Sequence, residues 1–118
     1  MEQSTERFRP ADRVRRRVDY RMAQAQGRRV HTPHFVLMVQ TNEGLGSRLG
    51  ITVTRKTHAR AVARNRIKRV VREVFRRNRA LFPDNCDVVF VAKRGAEKID
   101  YALLLGHLRT LKRRQGTL

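Results

Sequence analysis

Residues 63–79, ARNRIKRVVREVFRRNR, constrain the fold of this chain more than any other stretch. At 100° per residue, one narrow face of a helix collects the apolar positions Ala63, Ile67, Val70 and Val74, with Val71 and Phe75 at its edge. A second row, with a spacing of four residues, consists of Arg64, Lys68 and Arg72. The pattern predicts an amphipathic helix over about residues 59–79, with one side on a core and one cationic side.

The cationic row works against the stability of its own helix. Like charges at i,i+4 cost about 0.2–0.5 kcal/mol per pair, and Glu73 is the single acid of the segment. The whole chain has the same imbalance, with 28 Lys and Arg against 10 Asp and Glu and a net charge of +18. A charge of this size, clustered on one helix, indicates a polyanionic partner, of which nucleic acid is the commonest.

Other functional classes lack the residues that they need. The acids are dispersed without a DxD or ExD cluster, and no phosphate-binding glycine loop, Gly-x-Ser-x-Gly or His-Glu metal helix occurs. We therefore expect no catalytic residue, no bound metal and no cofactor in the chain itself. Cys86 is the single cysteine of the chain, and we expect its side chain to be buried. The polar N-terminus and the short apolar runs predict a soluble, cytoplasmic protein without a membrane partner.

The remaining segments predict helices and strands around the basic helix. A first helix is predicted from the helical spacing of Val14, Val18, Met22 and Ala25, and Gly27 is expected to end it. HFVLMVQ and SRLGITVTRK predict two strands, joined by a turn or hairpin loop at TNEGLGS. CDVVFVAK is continuously apolar, as in a central strand. Asp100 is a plausible N-cap of the last helix, whose core face is Tyr101, Leu104, Leu105, Leu108 and Leu111. Residues 1–12 predict a flexible tail, and residues 13–118 a single domain, which the charge of the basic helix would make a nucleic-acid-binding one.

Four stretches of the chain resemble the protein subunit of bacterial ribonuclease P, over roughly residues 13–113. They are ARNRIKRVVREVFRRNR, RLGITVTRKTHARAVARNRIKR, DYRMAQAQGRRVHTPHFVLM and DVVFVAKRGA. The resemblance implies an α/β (α+β) two-layer sandwich, in which a small sheet and about three helices follow the order α-β-β-(β)-α-β-α, similar to the second domain of a small-subunit ribosomal protein. It also implies a left-handed βαβ crossover, against the usual rule.

The same resemblance implies a function and its partners. The family's enzyme is a ribonucleoprotein endonuclease that removes the 5′ leader of precursor tRNA, and its catalyst is the RNA subunit with Mg²⁺. The expected partners are the catalytic RNA and the precursor, with no protein partner required.

Residue by residue, the resemblance implies two RNA-binding surfaces. The contacts with the catalytic RNA are Arg64, Asn65, Arg66, Lys68, Arg69 and Arg72. The cleft for the leader comprises Tyr20, Gln24, Phe35, Met38, Arg55 and Lys56, although the apolar pattern around Phe35 also suits a core position. Further RNA contacts are expected at Arg16, Arg17, Arg76, Lys93 and Arg94. The chain departs from the family at Gln24, where an aromatic residue often occurs, and at Met38, where the family can have Tyr, so stacking on the leader is expected to be weaker or more polar.

Three alternatives use the same basic helix. A ribosomal-type structural RNA-binding protein would share it but need no cleft for a single strand. A membrane-surface helix would need larger apolar residues than the Ala and Val of this face. A protein-only nuclease would need clustered carboxylates.

Overall fold

The structure is a computed structural model that describes residues 8–14, 17–116 and 118, and in this part of the chain it contains three α-helices and a four-stranded sheet. The helices are α1 (Arg17–Gln26), α2 (Ala61–Arg77) and α3 (Tyr101–Gln115). The strands are β1 (Arg28–His31), β2 (Phe35–Thr41), β3 (Arg48–Thr52) and β4 (Cys86–Ala92). The order α-β-β-β-α-β-α confirms the predicted α+β sandwich. It includes a third strand before α2, which the predicted order α-β-β-(β)-α-β-α gave in brackets.

The sheet has the strand order β1-β2-β4-β3. β4 pairs antiparallel with β2 and parallel with β3, so the prediction of a central strand at CDVVFVAK is confirmed. The alternative of a hairpin between β2 and β3 is wrong, because β4 is inserted between them. β3, α2 and β4 form the expected βαβ unit; its handedness stays an expectation.

The two faces of the sheet carry cores of different size. Phe35 and Leu37 of β2 and Phe90 of β4 belong to the large core, which α2 and α3 cover. The neighbouring residues in β2 and β4 point to the other face, where Met38 and Val89 pack with Ala23 of α1 in a much smaller cluster. The sandwich is therefore the sheet with α2 and α3, and α1 lies alone on the opposite face.

α2 packs as an amphipathic helix, with its apolar face rotated from the predicted centre. Its buried residues are Ile67, Val71, Val74 and Phe75, whereas Ala63 and Val70 are only half-buried. The predicted boundaries of about 59–79 are wide by two residues at each end. The rotation follows from Phe75, whose ring packs against Phe82 with centroids 5.0 Å apart.

α1 does not use the face that its apolar spacing suggested. Val18 and Met22 are 46% and 40% exposed, and Ala25 is exposed as well. The buried residue of α1 is Ala23, which fits against Met38 and Val89 because its side chain is small. The helix therefore rests on the sheet through a narrow contact.

The packed part of the chain begins before residue 13. The ring of Phe8 meets that of Phe75 edge to face, with centroids 6.0 Å apart. Asp12 accepts a hydrogen bond from Nη2 of Arg79 at 2.9 Å. Residues 8–12, which we assigned to the tail, thus contact α2 and the turn after it, whereas residues 1–7 lie outside the described part of the chain.

Three smaller predictions are confirmed. Asp100 caps α3, since its Oδ1 accepts from the backbone N–H of Leu103 at 2.8 Å. Cys86 is buried, and burial raises the pKa of its thiol. Leu104 and Leu108 are the buried residues of the α3 core face. Among the described residues, no helix combines the length and the apolar character that crossing a membrane requires.

Candidate RNA interface

The outward side of α2 carries a ridge of cationic and polar residues. Asn65, Arg66 and Arg69 are exposed, on the side of the helix opposite to Ile67 and Val71. Three further residues of the predicted set, Arg64, Lys68 and Arg72, are half-buried and form one flank of the ridge. All six predicted contacts with the catalytic RNA therefore lie on one helix, but only three of them form its exposed ridge.

Hydrogen bonds hold several of these cations without neutralising them. Nη1 of Arg64 donates to the carbonyl oxygens of His58 and Ala59, at 3.0 and 2.7 Å. Nη1 of Arg66 donates to the carbonyl oxygen of Glu97 at 3.0 Å. Because carbonyl groups are neutral acceptors, these bonds orient the guanidinium groups and leave their charge available to an anion.

Several acids of the described residues are paired with groups other than the six predicted contacts. Oε1 of Glu73 lies 2.8 Å from Nη2 of Arg76, and Oδ2 of Asp12 lies 2.9 Å from Nη2 of Arg79. Oε1 of Glu97 lies 2.7 Å from Nε2 of His58. The hydrogen bond from Arg76 lowers the pKa of Glu73. No ion pair in the described part of the chain includes the six predicted residues, so their positive charge stays uncompensated there. The charge of Arg76, predicted as a further RNA contact, is offset by Glu73.

A cleft of about 350 Å³ opens between α1, β3 and the flank of α2. Its lining combines two aromatic rings, three aliphatic side chains and three cations. They are Phe8 and Tyr20, then Val14, Leu49 and Ile51, and finally Arg13, Lys68 and Arg72. Burial lowers the pKa of Arg72, and the neighbouring Arg13 and Arg69 lower it further. In sites for single-stranded nucleic acid, cations bind the phosphates and an aromatic ring stacks on a base, and this cleft contains both kinds of group.

The cleft brings together only part of the residue set predicted for the leader. Tyr20 lines it, next to Lys68 and Arg72 of the other predicted set. Phe35 is a wrong prediction: it is fully buried in the large core, where its ring meets Phe90 edge to face at 5.4 Å. Met38 is on the α1 side of the sheet, but it is only 7% exposed and lies beneath Ala23.

The other predicted residues lie around this region or away from it. Gln24 is exposed on α1, and its carbonyl oxygen accepts from Arg29 at 3.2 Å. Arg55 and Lys56 are exposed in the turn before α2, and Arg17 is exposed at the start of α1. Nζ of Lys93 donates to the carbonyl oxygen of Thr32 at 2.7 Å, and Arg94 is exposed. Arg16 lies outside the described residues.

Two features beside Tyr20 were missed by the sequence reasoning. Gly50 is buried, and a Cβ at this position would lie 3.0 Å from Cε1, Cζ and Oη of Tyr20. Arg48 donates two hydrogen bonds to Asp87, at 2.7 and 2.6 Å, and also lies 3.3 Å from Asp19. The sequence held one indication of this ion pair. Opposite charges, Arg48 and Asp87, lie near the starts of two predicted strands, and the two residues are in register in the parallel pair of β3 and β4.

Comparison with known proteins decides the family. The family model described as Ribonuclease P matches residues 8–116. The chain belongs to the ribonuclease P protein family. The ribonuclease P protein components of Desulfovibrio desulfuricans and Thermotoga maritima are 42% and 34% identical to it. The matches cover 88% of this chain and 82% of the first relative, and 93% of this chain and 97% of the second.

Solved structures of the same family share the fold. The ribonuclease P protein of Thermotoga maritima superposes with a TM-score of 0.74 at 34% identity, covering 86% of this chain and 96% of that one. The protein of Staphylococcus aureus also gives 0.74, at 27% identity, with 88% and 95% covered. The resemblance inferred from the sequence motifs is therefore confirmed, and the chain is a ribonuclease P protein subunit.

Proposed function

We propose that this subunit docks on the catalytic RNA through the ridge of α2 and holds the 5′ leader of precursor tRNA in the cleft beside Tyr20. In this way it assists the Mg²⁺-dependent cut that releases the mature 5′ end of the tRNA. The observation that carries the proposal is the uncompensated charge of α2, which continues into a cleft with an aromatic wall.

Docking of the ridge on a folded RNA follows from its electrostatics. Asn65, Arg66 and Arg69 project from a rigid helix whose opposite side is anchored in the large core. Cations that contact phosphates release condensed counterions, which favours binding at low salt. Asparagine and arginine side chains can also bind ribose hydroxyls and base edges, so the same ridge can add specificity.

The cleft suits an unpaired strand. Tyr20 offers a ring on which a base can stack, and such stacking contributes about 1–3 kcal/mol per base without regard to sequence. Arg13, Lys68 and Arg72 line the same cleft and supply charge for the adjoining phosphates. Because Lys68 and Arg72 also belong to the flank of α2, one helix contributes to both surfaces, and the leader would pass close to the catalytic RNA.

The proposal assigns the chemical step to the RNA subunit, where bound Mg²⁺ activates water. Asp12, Glu73 and Asp87 are each paired with an arginine of the chain itself, and Oε1 of Glu97 lies 2.7 Å from Nε2 of His58. Among the described residues, no group of three or more His, Cys, Asp or Glu side chains could hold a metal ion.

Cleavage of a precursor tRNA at low, near-physiological Mg²⁺ tests the proposal with three samples: the protein alone, a bacterial catalytic RNA alone, and both together. We expect cleavage at the mature 5′ end only in the mixture. Cleavage by the protein alone would show that the assignment of the chemistry to RNA is wrong. RNA binding without any gain in cleavage would instead favour the ribosomal-type structural protein.

A further inference from the structure

We propose that Gly50 and the charged bridge Asp19–Arg48–Asp87 are positioning residues, which hold the ring of Tyr20 where it stacks on a base of the leader. This inference rests on the proposed function of the cleft. It adds residues that act through Tyr20 rather than by touching the RNA.

Gly50 provides the space for the ring. A Cβ on Gly50 would be 3.0 Å from each of three atoms at the phenol end of Tyr20, closer than side chains normally approach. The φ angle of Gly50 is not in the left-handed region, in contrast to that of Gly95 at 91°. Glycine is therefore required here for the close approach of the ring to β3, and not for an unusual backbone conformation.

The bridge fixes the helix that carries the ring. Arg48 lies two residues before Gly50, on the same face of β3, and its guanidinium joins Asp87 of β4 to Asp19 of α1. The side chains of Arg48 and Asp87 are only 12% and 5% exposed, so their geometry is restricted by packing. Since Asp19 immediately precedes Tyr20, the bridge ties α1 to the sheet one residue from the ring.

The helix has little else to hold it in this position. Ala23 is its one buried residue among those described, and the half-buried Tyr20 packs against the same small cluster, while Val18 and Met22 on the outer side are 46% and 40% exposed. A narrow apolar contact allows a helix to shift or rotate, and a small displacement of α1 would move the ring of Tyr20 away from the cleft. The bridge and the space above Gly50 together hold α1, and with it the ring of Tyr20, in one position relative to the cleft.

The test measures how much the leader contributes to substrate binding by the holoenzyme, reconstituted from the protein and a bacterial catalytic RNA. The affinity for a precursor tRNA with its leader is divided by the affinity for the same tRNA with a mature 5′ end. We expect Tyr20→Ala to reduce this ratio about 5- to 150-fold, the range of base stacking on an aromatic ring.

Two variants probe the positioning. Gly50→Ala is expected to reduce the ratio at least about threefold, but by less than the loss of the ring itself. Asp19→Asn, which keeps the size of the side chain and removes its charge, is expected to act in the same direction and is available if Gly50→Ala does not fold. The matched controls are Gly106→Ala on α3, where nothing lies within 4 Å of the added Cβ, and the exposed Asp84→Asn.

A double variant separates positioning from a general structural effect. If Gly50 acts through the ring, Gly50→Ala should cause no further loss in a protein that already carries Tyr20→Ala. An equal loss in both backgrounds, or an unchanged ratio for Gly50→Ala and Asp19→Asn while Tyr20→Ala reduces it, would overturn the inference and leave the leader cleft standing. An unchanged ratio for Tyr20→Ala would overturn the leader cleft and the positioning role together.

Discussion

Removing Arg66 and Arg69 together should change how binding of the catalytic RNA depends on salt. Both side chains are exposed on the ridge of α2, and no ion pair among the described residues includes them. Each phosphate contact contributes about 0.7–0.9 to the slope of log K against log salt concentration, so two lost contacts should reduce the slope by about 1.4–1.8. Between about 50 and 200 mM KCl, the affinity advantage of the wild type over Arg66→Ala/Arg69→Ala should then shrink about 7- to 12-fold.

A filter-binding titration of labelled catalytic RNA at several KCl concentrations measures this slope. The control is Arg109→Ala/Arg114→Ala, which removes two exposed cations from α3. Both double variants lose two arginines, so the net charge falls from +18 to +16 in each. If the two variants lowered the slope equally, net charge rather than the α2 ridge would control binding, and the reasoning would be refuted.

Three further predictions concern stability. Arg64→Ala should lower the free energy of unfolding by about 1–3 kcal/mol in a urea titration, because two hydrogen bonds to carbonyl groups are lost, and it should change the salt slope less than Arg69→Ala does. Arg48→Leu should cost about 3–5 kcal/mol in the same titration, since Asp87 would remain buried without a cation and would keep, among the described residues, only the hydrogen bond from Asn42; a cost below 1 kcal/mol would contradict a buried ion pair. Burial, followed by the nearby His34, lowers the pKa of His107, so the unfolded chain binds its proton more tightly and stability should fall as pH drops below the unfolded value of about 6.5. Urea titrations at different pH values should show a smaller fall for His107→Phe than for the wild type.

The correct predictions came from sequence patterns that are compatible with only one local structure. The run CDVVFVAK is apolar on both sides, which only a central strand between two covered faces can use, and β4 occupies that position. Asp100 was identified from its place before the apolar face of the last helix, because capping is a local interaction. The cationic side of α2 was predictable for the same reason, since helical spacing alone sets which residues share a side. The row predicted from that spacing, Arg64, Lys68 and Arg72, is nevertheless the half-buried flank of this side and not its exposed ridge.

The errors arose where non-local packing decides. Phe35 and Met38 are three residues apart on one strand and face opposite sides of the sheet, and both sides are covered by helices. The sequence does not say which side opens into a cleft, so Phe35 was placed wrongly. The apolar spacing of Val18 and Met22 was equally misleading, because α1 approaches the sheet through Ala23, whose small size carries little periodic signal.

The insertion of β4 between β2 and β3 has a consequence for how the molecule is made. The strand on which both neighbours depend is the last of the four in the sequence, ending at Ala92. In a nascent chain that stops before Cys86, β3 has no neighbouring strand of the sheet and β2 has β1 alone, and α2 lacks the Val88 and Phe90 side chains of its core. Pairing across such sequence distances is slow compared with local helix formation. The ordered ridge of α2 should therefore arise late, after most of the chain has left the ribosome.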